Sequence, residues 1–162
     1  MTKVMSCIHQ KDYWEEVCSR CDGDMQCKVP YPQTTEFFVA MVPPTTTHQE
    51  KQVNWNTKTF YEPAELKAAR SKLVAYLGQH VPNQKYTGGI RLITKWCFPI
   101  TGKHKDGEYR ITKPDTDNLQ KLLKDVCTDL GYWTDDALVA SEIIEKFWAD
   151  VPGIYIKIEE LI

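Results

Sequence analysis

Asp115, Asp117, Asp125, Asp135 and Asp136 fall close together in this chain, with Lys121 and Lys124 among them. Carboxylates gathered at one point repel one another unless a cation occupies it. Hard oxygen ligands without His or Cys favour Mg²⁺ or Mn²⁺. Such an ion activates water and stabilises charge on a phosphoryl group. Lys121 is a candidate to stabilise the same developing charge or to orient a phosphate oxygen. A structural reading stands beside this one. In it Asp115 and Asp117 start a helix, Lys121 pairs with Asp117, and Asp135-Asp136 make a turn. Spacing alone leaves both open.

Softer ligands lie elsewhere. Cys7, Cys18, Cys21 and Cys27 sit in the first thirty residues, and Cys18-x2-Cys21 has a zinc-knuckle spacing. Four thiolates would close a tetrahedral structural Zn²⁺ site, with His9 able to replace Cys7. A segment whose one large anchor is Trp14 has a physical reason to use a metal staple. The alternative is a set of reduced cysteines without metal. Cys97 and Cys127 fall in core-like elements and are expected to be buried.

A third group, Lys103, His104, Lys105, Arg110 and Lys113, runs directly into Asp115. A phosphate held by Lys103, Lys105, Arg110 and Lys113 would lie beside the carboxylates, and such contacts position a nucleic acid without reading its sequence. A solvated hairpin tip is the plainer alternative. His48 and Lys51 form a second candidate DNA contact.

These groups need elements to hold them. Pro30-Tyr31-Pro32 interrupts any helix and reads as a connector. It separates a Cys-containing N-terminal extension, residues 1–32, from a domain spanning 33–162. Phe37–Val42 is a short apolar run closed by Pro43-Pro44, a plausible buried strand, and Thr45–Asn56 is polar and turn-like. Pro63 opens a helix over Ala64–Leu77, where Leu66, Ala69, Leu73, Tyr76 and Leu77 recur at helical spacing.

Ile90–Ile100 alternates Ile90, Leu92, Thr94 and Trp96 with Arg91, Ile93, Lys95 and Cys97, a strand that ends at Pro99 or lies at an edge. Residues 101–113 form a basic hairpin or loop. Pro114–Leu130 is the clearest helix, stopped by Gly131. At about 100° per residue its leucines gather on one face, with Asp117, Lys121, Lys124 and Asp125 opposite. Val139–Trp148 and Ile154–Ile158 read as strands. The order indicates an α+β domain, a small mixed sheet packed with two main helices.

Composition sets outer bounds. The chain has 162 residues, with 42% hydrophobic and 26% charged, globular values that exclude a disordered chain. It shows neither a membrane-length apolar run nor a signal peptide's apolar centre, so it is read as soluble and cytoplasmic, with no membrane partner. The net charge of −2 conceals a segregation. Residues 85–113 carry 7 basic and 2 acidic groups, and residues 114–162 carry 4 and 11. A basic middle before an acidic end suits a polyanion surface beside a metal site, and equally two faces of an ordinary soluble protein.

The residues Lys113-Pro114-Asp115-Thr116-Asp117-Asn118-Leu119-Gln120-Lys121 and then Gly131-Tyr132-Trp133-Thr134-Asp135-Asp136-Ala137-Leu138-Val139 form a two-part motif. It resembles the RusA family of Holliday-junction resolvases, the crossover-junction endodeoxyribonucleases common in phages and prophages. Weaker resemblance extends over Phe37–Ile162, while the cysteine-bearing extension has no counterpart in the family pattern. The resemblance implies a Mg²⁺-dependent endonuclease, with Mn²⁺ as a substitute, that acts as a homodimer on four-way or otherwise branched DNA in recombination and repair. It implies a bacterial or phage-infected cell as the setting. By the same resemblance Asp115, Asp117 and Asp136 are the catalytic Mg²⁺ ligands, with Asp135 a further candidate ligand, and Lys121 is the catalytic lysine. The rival is a zinc-stapled nucleic-acid- or protein-binding module without nuclease activity.

Overall fold

The computed structural model describes residues 32–46, the backbone of 52–54 and 59–61, and residues 63–161. The chain divides into two units, Met1–Gln33 and Thr34–Ile162, and every element below belongs to the second. Cys7, His9, Cys18, Cys21, Cys27, His48 and Lys51 lie outside the described residues.

In chain order the elements are β1 (Thr34–Val39), β2 (Gln52–Asn54), β3 (Thr59–Tyr61), α1 (Ala64–Leu77), β4 (Ile90–Pro99), α2 (Thr116–Leu130), β5 (Val139–Ala149) and β6 (Gly153–Glu160). One mixed sheet has the strand order β1-β6-β4-β5, and β2-β3 form a separate pair. β6 runs antiparallel to both β1 and β4. β4 and β5 are parallel neighbours, and α2 lies on the connection between them. The fold is α+β, with two helices and a four-stranded mixed sheet among the described residues.

Side-chain period fixes which face is covered. Ile90, Leu92, Thr94, Trp96 and Phe98 are the buried row of β4, joined by Ile154, Ile156 and Ile158 of β6. Against them lie Leu66, Leu73 and Leu77 of α1 and Leu119, Leu122, Leu123 and Val126 of α2, in one continuous core. The helices therefore cover one face of the sheet. β4 is central and stops at Pro99, which has no N–H to continue a ladder.

Four expectations are corrected. β1 begins and ends three residues before the expected Phe37–Val42 strand, because its pairing with β6 runs from Thr34 opposite Glu159 to Val39 opposite Ile154. The polar Thr45–Asn56 stretch contributes β2, a strand of three residues and so too short to display an alternation. Tyr76 is 36% exposed on α1, outside the row of Leu66, Ala69, Leu73 and Leu77. Cys127 is buried, but Cys97 is only half-buried, since it is out of phase with Trp96 and Phe98. Burial pushes both thiols up, Cys127 much further.

The basic segment after β4 is not a free hairpin tip. It returns along the outer edge of β5, where Gly107 N–H donates to Trp148 O at 2.9 Å and Trp148 N–H to Glu108 O at 2.8 Å. Arg110 N–H donates to Lys146 O at 2.9 Å. The loop thus occupies backbone groups that an edge strand would otherwise present to solvent.

Candidate functional site

Asp115 occupies the N-cap position of α2 with extended backbone, and its carboxylate caps none of the helix N–H groups. Asp117 lies in the first turn. Because α2 buries Leu119, Leu122, Leu123 and Val126, the opposite face carries Asp117 and Lys121 exposed and Lys124 half-buried. No ion pair or hydrogen bond joins Asp117 to Lys121 among the described residues, so this part of the structural reading does not hold.

At its other end α2 stops in a Schellman arrangement. Gly131 adopts φ 84°, Tyr132 N–H donates to Cys127 O at 3.0 Å, and Gly131 N–H donates to Thr128 O at 3.0 Å. Two buried aromatics then pin the chain. Tyr132 Oη donates to Leu77 O at 2.8 Å, and Trp133 Nε1 donates to Thr128 Oγ1 at 2.7 Å. Burial pushes the Tyr132 phenol far up, so it remains a neutral donor. Asp135 and Asp136 follow directly on this anchored segment. The Asp135 carboxylate accepts from Ala137 N–H at 2.8 Å and caps the short turn Asp136–Leu138, as the structural reading expects of it. Asp136 is exposed.

Asp117, Lys121 and Asp136 line one groove of about 430 Å³ together with Gln120, Lys124 and Glu142. Glu142 lies in register with Leu92, in the row of β5 that also holds Ile144, Lys146 and Trp148 and faces the helices. It pairs with Lys124 at 2.8 Å. An adjoining hollow of about 400 Å³ is lined by Asp125, Asp129, Asp135 and Asp136 with Arg70. Arg70 pairs with Asp129 at 3.3 Å and with Asp125 at 3.8 Å, so Asp125 belongs to the α1–α2 contact as well. Asp136 borders both hollows.

Beneath the groove, Trp96 Nε1 donates to Thr94 Oγ1 at 3.2 Å and Thr94 Oγ1 donates to Gln120 Oε1 at 2.8 Å. Gln120 Nε2 is buried without a hydrogen-bond partner. Gln120 and Glu142 are the groove residues that the sequence reading passed over. Their signals were a threonine in the inward row of β4, which needs a polar partner, and a glutamate in the inward row of β5.

Asp115 does not line the groove shared by Asp117 and Asp136. It lies near Lys146, whose Nζ donates to Pro114 O at 2.7 Å and Thr112 O at 2.9 Å. Burial and the nearby Arg110 charge lower the Lys146 pKa, and Asp115 partly opposes them. Among the described residues no group of three or more His, Cys, Asp or Glu is arranged to hold a metal ion. The donor chemistry nonetheless fits a hard divalent cation. Mg²⁺ is commonly held by one or two carboxylates, its other positions filled by water and substrate oxygens. Three exposed carboxylates share the groove, Asp117, Asp136 and Glu142, the last of them paired with Lys124.

In the basic loop Lys103, Lys105 and Lys113 are exposed. Arg110 is committed elsewhere. Its guanidinium lies 4.1 Å from the Phe98 ring centroid and 4.5 Å from that of Trp148, and it donates to Lys113 O at 2.6 Å and to Thr112 Oγ1 at 3.2 Å. That packing removes water from the guanidinium and lowers its pKa. His104 stacks on Trp148 with centroids 4.6 Å apart, and its Nδ1 contacts Glu108 Oε1 at 2.8 Å.

The described residues thus form an α+β domain whose parallel crossover carries an open groove lined by carboxylates and lysines. The family model for endodeoxyribonuclease RusA matches residues 41–159, and the chain belongs to that family. Membership supports a nuclease of the recombination and repair type and metal-dependent catalysis in general terms. No curated protein matches the chain. No described helix is long and apolar enough to cross a membrane.

Proposed function

We propose that this protein is a Mg²⁺-dependent endodeoxyribonuclease that cuts branched DNA, four-way junctions above all, and works as a homodimer. The observation that carries this reading is the shared groove of Asp117, Lys121 and Asp136 in a chain of the RusA family. Asp117 and Asp136 would hold the ion, with Asp115 joining them from the helix start and Asp135 as a further ligand. Mn²⁺ would serve in its place. A bound ion would supply charge neutralisation at the phosphoryl group and would acidify a water.

The chain's own residues do the rest. Lys121, one turn along α2 from Asp117, donates to the phosphoryl oxygen on which charge builds. The exposed Lys103, Lys105 and Lys113 hold flanking phosphates, while Arg110 stiffens the loop that presents them. Residues 33–162 are the nuclease domain, and residues 1–32 are an attachment whose cysteines bind zinc. Two subunits carry two such grooves and nick opposing strands.

The test is cleavage of a synthetic four-way junction, a flap, a fork and a linear duplex, with Mg²⁺, Mn²⁺ or EDTA. Paired nicks in the junction that require either ion are expected. Intact branched DNA after incubation with folded protein and either ion would return the carboxylates to a structural role.

A further inference from the structure

Ile111 is 92% exposed, the most exposed of the large apolar side chains described. A single exposed isoleucine is unremarkable on a floppy loop. This loop is tied down on every side of it. Arg110 N–H is bound to Lys146 O, and the Arg110 guanidinium is packed against Phe98 and Trp148 while it donates to Thr112 Oγ1 and Lys113 O. Lys146 Nζ donates to the carbonyls of Thr112 and Pro114. Residues 110, 112, 113 and 114 are therefore held by their backbones or side chains, and the apolar side chain projecting among them is branched and four positions before Asp115.

Fixing a β-branched side chain in water on a rigid support gains nothing in the free protein. It gains something when an apolar surface meets it. The surroundings say which surface: Lys113 lies two residues away, and the loop's exposed Lys103, Lys105 and Lys113 outnumber its exposed Asp106 and Glu108, so the approaching body is polyanionic. The apolar surface of a polyanionic nucleic acid is its base stack. At a branch point that stack is already interrupted, and inserted Ile, Leu or Phe side chains are a known means of prising base steps apart.

We propose that Ile111 is a wedge that inserts against an unstacked base at the branch point of bound DNA, and so supplies preference for branched over linear substrates. The inference rests on the nuclease reading above. Ile111 touches neither the scissile phosphate nor its ligands. It determines specificity, and the basic loop supplies the affinity.

The experiment uses the full chain and a four-way junction with 2-aminopurine beside the branch point, in EDTA so that the DNA stays intact. Binding of the wild type should raise the fluorescence severalfold as the base unstacks. Ile111→Ala should lose most of that rise and bring junction preference over duplex down by roughly tenfold, with duplex affinity changed less than about threefold. Ile111→Leu should restore both. At 92% exposure neither change threatens the fold, which thermal unfolding checks.

Equal fluorescence from wild type and Ile111→Ala would overturn the wedge. So would a dimer that dissociates in Ile111→Ala by sedimentation velocity while the fluorescence rise persists, since the occupant would then be a second copy of the chain. Cleavage of junctions by the wild type in Mg²⁺, run in parallel, separates the two failures. If it succeeds while the fluorescence test fails, the wedge alone is lost. If the wild type neither binds nor cuts branched DNA, both readings fall.

Discussion

Lys146→Met isolates the framework that holds the approach to α2. Methionine keeps the aliphatic stem in the inner row of β5 and removes the donors to Thr112 O and Pro114 O, at 2.9 and 2.7 Å. A hydrogen bond from a charged donor is worth roughly 1.5–3 kcal/mol when dry, and less where solvent competes. The Lys146 charge is itself disfavoured, since burial and Arg110 lower its pKa, so the substitution also relieves a cost. A net loss of about 1–2 kcal/mol follows, a fall in Tm on the order of 4–8 °C for a domain of this size. Cleavage should drop about tenfold or more, because the freed segment leads directly into Asp115 and α2. The salt dependence of DNA binding should stay unchanged, because Nζ is spent on carbonyls and neutralises no phosphate. Thermal melts and a salt titration of junction binding give the three readouts together. A wild-type Tm with a salt slope reduced by about one would refute the reasoning and make Lys146 a phosphate contact.

Asp117→Asn and Asp136→Asn should each abolish Mg²⁺-dependent cleavage while circular dichroism and junction binding stay near wild type, since both carboxylates are exposed. Lys121→Ala should slow single-turnover cleavage by roughly a hundredfold with a much smaller change in Kd, and equal losses in both would recast it as an ordinary phosphate contact. The Glu108 carboxyl is held below the usual range, first by the His104 ring and then by the Lys105 N–H. Its contribution to loop order is present above the ordinary glutamate pKa and is lost as pH falls through the lowered value. An NMR titration should place its midpoint below that of other exposed glutamates, and Glu108→Gln should remove the acid-side change in the loop amides. Protein purified without chelator should carry one Zn²⁺ per chain through Cys18, Cys21, Cys27 and either Cys7 or His9. Metal analysis near zero in reduced, folded protein rejects that site.

The helices and long strands were legible because each obeys one period. α1 runs from Ala64 to Leu77 as the Pro63 start and the leucine spacing predict, and α2 stops at Gly131, which alone supplies a left-handed backbone without strain. β4 shows its inward row plainly because every other residue from Ile90 to Phe98 is buried. What periodicity cannot reveal is pairing. Nothing in the order of elements says that β6 inserts between β1 and β4 while β5 takes the edge, since both placements bury the same isoleucines. The loop's path along β5 was hidden for the same reason. Its backbone bonds to Lys146 and Trp148 carry no side-chain signature, and Arg110 read as a free cation until its aromatic neighbours were known.

The candidate site was legible as a list of residue types, less so as a geometry. A helical wheel joins Asp117 to Lys121 but says nothing about Asp136, which lies beyond the helix and reaches the groove only because Tyr132 and Trp133 are buried. The aromatic pair thus gives the acidic pair its position: Tyr132 is bonded to the end of α1 and Trp133 to α2, so Asp135-Asp136 cannot drift from the helices. The inward rows of β4 and β5 signal Gln120 and Glu142, but only the Thr94–Gln120 hydrogen bond and the register of β4 against β5 bring them to one groove. A parallel crossover explains why the parts converge. α2 must run back along β4 and β5 to connect them, so a residue on its outer face meets a residue on the inner row of β5 across one groove. Lys124 and Glu142 already meet there at 2.8 Å. Asp117, Lys121 and Asp136 line the same groove, and the proposed nuclease function would set a phosphodiester between them.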